Sequence, residues 1–341
     1  MPETRYRRLA GTALVALAPL LLAQAPAPDS PKPATAATLA AQRTAAAVLP
    51  KEDDRDITFA RQGFLGTRSE PLIKSADGRV VWNLAAYDFV AGAAPDTVNP
   101  SLWRHIGILR KHGLYQVADG VWQVRGFDIS NMTIIRGATG WVVIDPLTGR
   151  ETAHAAIELV NEKLGKRPVT AVIYSHSHGD HFGGVRGVVD EADVKAGKVA
   201  VIAPAHFMAE TVSENIMAGA AMGRRVNYQF GTGLAPGAQG QIGSGIGAGV
   251  SGAEITLITP TDTISKTGET RVVDGVPLEF QIVSGSEAPS ELNVYIAPTR
   301  TFLSAEMTTC SLHNILTPRG AKVRDARIWA NYIDEALQTW G

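Results

Sequence analysis

The stretch "YSHSHGDHFGGV", Tyr174 to Val185, sets His176, His178, Asp180 and His181 within six consecutive positions, in a chain that holds only eight histidines. Imidazole and carboxylate together suit zinc, and the softness of the imidazoles argues against magnesium or calcium. His176 and His178, two apart at a strand end, can point the same way and grip one ion. Asp180 and His181 can face a second ion close by as the chain turns into a helix. Glycines 179, 183 and 184 are expected to let the backbone bend that tightly. A run of surface histidines is the alternative, but it fits poorly with the apolar segment that leads into the cluster.

That segment, "PVTAVIYSHSHGDH", reads as a buried, β-branched strand running directly into the histidines. Before it, "ETAHAAIELVNEKLG" has helical spacing and a glycine just past its end. "GLYQVADGVWQVRG" predicts two strands turning at Asp119-Gly120, and "SNMTIIRGATGWVVIDP" two more turning at Gly137 to Gly140. "GRVVWNLAAYDFV" alternates as a strand does, a helix is expected around Glu210 to Gly223, and "AEITLITP" reads as a further strand. Strand pairs followed by a β-α-β passage imply an α/β (α+β layered) domain with its ligands at strand ends. The glycine-rich segment 231–252 formally contains G-x-G-x-x-G at Gly247, Gly249 and Gly252, but no helix follows, so it reads as a flexible loop beside a site.

With 341 residues, 45% of them hydrophobic, the chain can bury a full core. A net charge of −1 leaves no basic footprint for nucleic acid. One cysteine, Cys310, excludes an internal disulfide and a cysteine-cluster zinc site, and a small buried side chain is expected there. Residues 1–25 resemble a signal peptide: Arg5, Arg7 and Arg8, then an apolar stretch from Leu9 to Ala23 that is short for a membrane span. A periplasmic or secreted protein with no stable membrane span is therefore expected. Residues 26–58 read as an Ala/Pro-rich linker and extension ahead of the main domain, 59–341.

"SHSHGDHFGG" resembles the signature of the metallo-β-lactamase fold, an αββα sandwich with one or two metals at the sheet edges. "HGLYQVADGVWQVRGFDISNMTIIRG", "VVIDPLTGRETAHAAI", "SEAPSELNVYIAP" and "LHNILTPRGAKVRDA" resemble, more narrowly, its alkyl sulfatase branch. That resemblance implies hydrolysis of an amphiphilic alkyl sulfate to alcohol and inorganic sulfate by water activated on two zinc ions. It makes ligands of His176, His178, Asp180, His181, Glu287 in "SEAP", and Glu306 in "TFLSAEMTTC", with Glu306 bridging both ions and Asp180 and Glu306 at the catalytic centre. Glu291, four residues from Glu287, stays open as the true ligand. Asn314 and Arg319 are implied to hold the sulfate group, whose oxygens suit a guanidinium fork. His313 is then a neighbour of the site, while His105, His112, His154 and His206 are expected in core or surface roles.

Other hydrolases of the same fold, acting on lactams, lactones or phosphodiesters, and a remnant that only binds anionic amphiphiles are the competing readings. The family pattern also places a further histidine beyond the amphipathic helix "RDARIWANYIDEALQTWG", followed by a dimerisation domain and a terminal lipid-binding-like domain. The sequence stops before them. A truncated enzyme is therefore expected, with a weaker second metal site and an exposed apolar side on that helix (Ile328, Trp329, Tyr332, Ile333, Ala336, Leu337 and Trp340).

Overall fold

Side-chain alternation along the central strands decides the layers. In a computed structural model, which describes residues 31–49, 54–309, 311 and 313–341, Trp141 and Val143 face one side of a strand while Val142 and Ile144 face the other. Val172 and the pair Ala171 and Ile173 do the same on the next strand. Both faces are apolar, so both must be covered.

The strands are β1 (Phe64–Gly66), β2 (Leu72–Lys74), β3 (Val80–Asn83), β4 (Gly113–Ala118), β5 (Val121–Arg125), β6 (Met132–Arg136), β7 (Trp141–Ile144), β8 (Val169–Ile173), β9 (Ala200–Pro204), β10 (Asp262–Ile264), β11 (Glu269–Val273), β12 (Val276–Ile282), β13 (Leu292–Ile296) and β14 (Thr301–Leu303). An eight-stranded sheet runs β1-β4-β5-β6-β7-β8-β9-β10, antiparallel up to β7 and parallel beyond it. A four-stranded antiparallel sheet runs β11-β12-β13-β14, and β2 pairs with β3.

The helices are α1 (Ala36–Val48), α2 (Arg55–Arg61), α3 (Pro100–Leu109), α4 (Arg150–Leu164), α5 (Gly179–Phe182), α6 (Glu191–Lys195), α7 (Phe207–Val212), α8 (Gly219–Phe230) and α9 (Ala326–Trp340). The buried side of α4 (Ala156, Leu159, Val160) packs on Trp141, Val143 and Val172. The other sheet face meets the small sheet through Ile144, Ile173 and Ile202 against Phe280, Leu292 and Val294. Each such buried side chain contributes roughly 1.5–3 kcal/mol. On the outer side of the small sheet, α9 sets Trp329 with Val283 and Met307. Helix, sheet, sheet and helix follow in that order, the αββα sandwich.

Several expectations need correction. The apolar side of α9 is largely covered: Trp329 is buried and donates from Nε1 to the Met307 carbonyl at 2.7 Å, and Trp340 stacks on Phe302. Leu337 remains exposed. "AEITLITP" is not a strand; its backbone groups bond loops instead, Thr256 N to the Gly183 carbonyl at 2.6 Å and Arg150 N to the Glu254 carbonyl at 2.8 Å. Only Asp262–Ile264, further on, joins the sheet. "GRVVWNLAAYDFV" is strand only over β3, after which the Asn83 side chain accepts from Ala85 N and turns the chain. The helix expected at 210–223 is α7 and α8, joined by a π-helical turn at Ser213–Met217.

Segment 231–252 is irregular but packed. Ile242 and Ala248 are buried, Tyr87 Oη donates to Gln241 Oε1 at 2.6 Å, and Ser251 donates from N and Oγ to the buried Asp128. Among described residues of the extension, α1 buries none of its side chains. Residues 1–25, expected as a signal peptide, and Cys310 lie outside the described residues.

Candidate metal centre

Strand β8 carries the chain straight to Tyr174, Ser175 and His176, and His176 forms an isolated antiparallel bridge with Glu291 just before β13. Leu292 N donates to the Ser175 carbonyl at 2.8 Å, so the two sheets touch where the histidines begin. Helix α5 then presents Asp180 and His181. None of Gly179, Gly183 and Gly184 has positive φ, so no unusual dihedral is needed, and Gly183 and Gly184 serve close packing instead. A Cβ on Gly183 would collide with the Thr148 carbonyl, and one on Gly184 with the Pro146 carbonyl.

Two groups of possible ligands result: His176, His178, Glu287 and Glu306, and then Asp180, His181 and Glu306. Glu306 belongs to both. His176 Nε2 lies 3.3 Å from Glu287 Oε2 and 3.4 Å from Glu306 Oε2; His178 Nδ1 lies 2.8 Å from Glu287 Oε2. His181 Nε2 lies 3.3 Å from Glu306 Oε2 and 3.4 Å from Asp180 Oδ2. Yet His176 Nε2, His181 Nε2 and Glu287 Oε2 are buried without a hydrogen-bond partner. Buried polar atoms normally have partners. Imidazole and carboxylate donors crowded together and left unsatisfied fit a bound divalent metal.

The ion pairs show how much charge is confined here. Burial and the neighbouring His181 lower the pKa of His176. Burial would also lower His178, but the Glu287 and Glu214 carboxylates push it up to about 10. Burial opposes ionisation of Asp180, yet His181 holds it down at about 2. His181 is raised well above the imidazole range against its burial, by Asp180 and then Asp145.

The two candidate glutamates separate clearly. Glu287 turns Oε2 toward the histidines, while Glu291 Oε2 accepts from Ser286 Oγ at 2.9 Å and from Glu287 N and Ala288 N at 3.0 Å each. Glu291 shapes the turn that carries Glu287. Burial and the Glu287 charge raise its pKa to about 8.

Three residues passed over in the sequence also act here. Asp145, at φ 57° beyond β7, accepts from Ser175 N and Oγ at 2.7 Å and pairs with His181 Nδ1 at 2.8 Å, which leaves His181 Nε2 for a ligand. Glu214, on the π-helical turn, lies 3.1 Å from His178 Nε2 and 3.9 Å from Arg319 Nη1, and accepts from Lys322 N at 3.1 Å. Buried Arg324 grips Glu287 and Asn314. Asp145 ends an apolar strand, a signal like that of Glu306. Glu214 in a helical stretch and Arg324 in "AKVRDAR" look like solvated charges in sequence.

A cavity of about 840 Å³ opens over the cluster. His178, Asp180, Glu287 and Glu306 line it together with Asn314 and Arg319, while Ile129, Met222, Val226, Phe230, Ile246 and Ile255 supply apolar wall. His313 borders it with Nε2 3.6 Å from Glu287 Oε1. The other four histidines sit elsewhere: His105 pairs with the Gly245 carbonyl, His112 with Thr67, His154 with Glu158, and His206 precedes α7 at φ 66°.

The family model described as "Metallo-beta-lactamase superfamily" matches residues 125–340. A linear primary-alkylsulfatase from Pseudomonas sp. is 47% identical over 330 residues, covering 96% of this chain and 49% of the relative. An (R)-specific secondary-alkylsulfatase from Pseudomonas sp. is 47% identical over 340 residues, covering 99% and 51%. The solved structure of a stereoselective inverting sec-alkylsulfatase from Pseudomonas sp. superposes with TM-score 0.88 at 48% identity, covering 91% of this chain and 49% of that one. The chain thus spans about half the length of the curated relatives it matches. A family match over most of the sequence, on the fold and ligand cluster just described, leads to one conclusion: the chain belongs to the metallo-beta-lactamase superfamily.

Proposed function

We propose that the site hydrolyses alkyl sulfate esters to an alcohol and inorganic sulfate, using two zinc ions held by His176, His178, Glu287 and Glu306 and by Asp180, His181 and Glu306. The observation that carries this reading is one cavity that combines the ligand cluster, Asn314 and Arg319, and an apolar wall. Relatives named as primary and secondary alkylsulfatases support the substrate class. Zinc, when bound, acts as a Lewis acid and supplies a nucleophile from water near neutral pH.

The protein's own groups do the rest. Arg319 offers a planar, permanently charged fork to the sulfate oxygens, and the Asn314 amide adds a neutral donor beside it. Both bind the sulfate end and stabilise negative charge as the ester breaks. Met222, Val226 and Phe230, spaced four apart on α8, offer one face to the alkyl chain. Asp145 keeps His181 in the tautomer a ligand needs. Export, inferred from residues 1–25, belongs to the same proposal.

Release of inorganic sulfate from dodecyl sulfate by the purified chain, with added zinc and then with a chelator, tests it. Chelator-sensitive release that falls at least a hundredfold in Arg319→Ala is expected, about the scale on which charge-stabilising groups act. Unchanged turnover in Arg319→Ala would overturn the assignment of the sulfate site.

A further inference from the structure

Arg324 is 5% exposed, and its guanidinium bonds two residues with different tasks, with Nη1 also 3.2 Å from His313 Nδ1. Nη2 donates to Glu287 Oε1, and Nε donates to the Glu287 carbonyl at 2.5 Å. Nη1 donates to the Asn314 carbonyl at 2.8 Å and to Asn314 Oδ1 at 2.9 Å. Its own backbone N donates to the Ile315 carbonyl at 3.1 Å, and Asp325 N to the Gly285 carbonyl at 3.1 Å. The side chain therefore sits between the turn that carries Glu287 and the loop that carries Asn314.

Two consequences follow from donor chemistry. Arginine has only donors, so the Asn314 amide atom that faces it must be the oxygen, and the NH₂ is left for another acceptor. On the Glu287 carboxylate, Oε1 is occupied by the guanidinium while Oε2, buried and unpartnered, remains beside His176 and His178. One rigid planar group sets both orientations.

We infer that Arg324 is a positioning residue that couples the metal site to the anion site, by fixing Glu287 Oε2 toward the metal ligands and the Asn314 NH₂ toward the sulfate oxygens. The sulfate half rests on the proposed substrate class; the metal half does not. A lysine at this position keeps the charge but cannot hold both partners in a fixed plane.

The test uses the full chain with Zn²⁺ alone and then with inorganic sulfate. Zinc affinity is measured by competition with a chromophoric chelator, and sulfate binding to zinc-loaded protein by calorimetry. Arg324→Ala is expected to lose on the order of tenfold to a hundredfold in zinc affinity, the usual range for an outer partner of a ligand. It is also expected to bind sulfate as weakly as Asn314→Ala does, with the double variant no weaker than either, and to recover zinc affinity with added guanidinium. Arg324→Lys, in case the alanine variant does not fold, should keep its circular dichroism and still show both losses.

A folded Arg324→Lys that matches the parent in both affinities would overturn the inference. So would additive losses in Arg324→Ala and Asn314→Ala. Zinc affinity decides the role of Arg324 even where the parent takes no sulfate, a result that would sink the substrate class alone.

Discussion

His176 and Glu291 face each other as a single antiparallel bridge between the end of β8 and the start of β13, so a metal-ligand candidate of the large sheet is held in register with the turn that supplies Glu287. Glu291 pins that turn through Ser286 Oγ, Glu287 N and Ala288 N.

Glu287 and Glu291 should respond oppositely to the same change. Burial and the nearby Glu287 charge raise Glu291 to about 8, so it is mostly neutral at pH 7 and glutamine is close to isosteric with it. Glu291→Gln is expected to keep zinc affinity within about twofold, whereas Glu287→Gln should lose roughly a hundredfold or more, beyond the loss of an outer partner. Chelator competition on both variants separates the roles. Equal losses would return Glu291 to the ligand set.

Metal uptake should release protons. Despite burial, the carboxylates around His178 push it up to about 10, and those around His181 raise it well above the usual imidazole range. At about 10, His178 is protonated at pH 7 in the metal-free protein and must be neutral to ligate, so at least one proton leaves as the sites fill. Apparent zinc affinity therefore rises with pH from 6 to 9. Titration calorimetry in two buffers of different ionisation heat counts the protons; a count near zero contradicts this charge assignment.

The apolar wall should set the preferred chain length. Val226→Phe narrows the cavity from α8. Displacing two methylenes from apolar contact costs about 1.6 kcal/mol, roughly a tenfold rise in KM for dodecyl sulfate, while hexyl sulfate changes little. An equal rise for both esters would place the alkyl chain elsewhere.

Away from the site, Asp274 ties the β11–β12 turn to the β6–β7 turn. Its carboxylate accepts from Thr139 N and Oγ1, from Gly140 N at 2.7 Å and from Thr170 Oγ1 at 3.0 Å. Partial burial opposes ionisation, but these donors win and lower its pKa. A carboxylate lowered on folding stabilises the protein above its unfolded pKa, and that contribution fades as pH falls through the folded value. Asp274→Asn should cost on the order of 2 kcal/mol at pH 7 and progressively less below pH 4. Denaturant unfolding at both pH values checks it, and zinc affinity should not change.

The histidine cluster stood out in sequence because its spacing and its place after an apolar strand are local facts, whereas Glu287 and Glu306 joined the candidate set only through the family resemblance. A layered sheet-and-helix domain was legible because β8 is apolar and α4 is apolar on one side, while the αββα sandwich itself came from the family resemblance. What stayed hidden depends on contacts across the chain. Only the fold shows that Glu291 bonds the backbone around Glu287, that Glu214 reaches His178 from a π-helical turn, or that Arg324 reaches both Glu287 and Asn314. "AEITLITP" misled because its β-branched residues bond loops around α4 and α5, which local propensity does not register.

The candidate ligands are divided between the β8–α5 junction and the turn and strand ends of the small sheet, which the chain builds much later. No complete site exists until both sheets have formed and docked. Metal should therefore act on the folded state after the rate-limiting step of folding, slowing unfolding while leaving the refolding rate nearly unchanged. In kinetic terms, an ion bound there would be a latch on a finished structure and not a nucleus for making it.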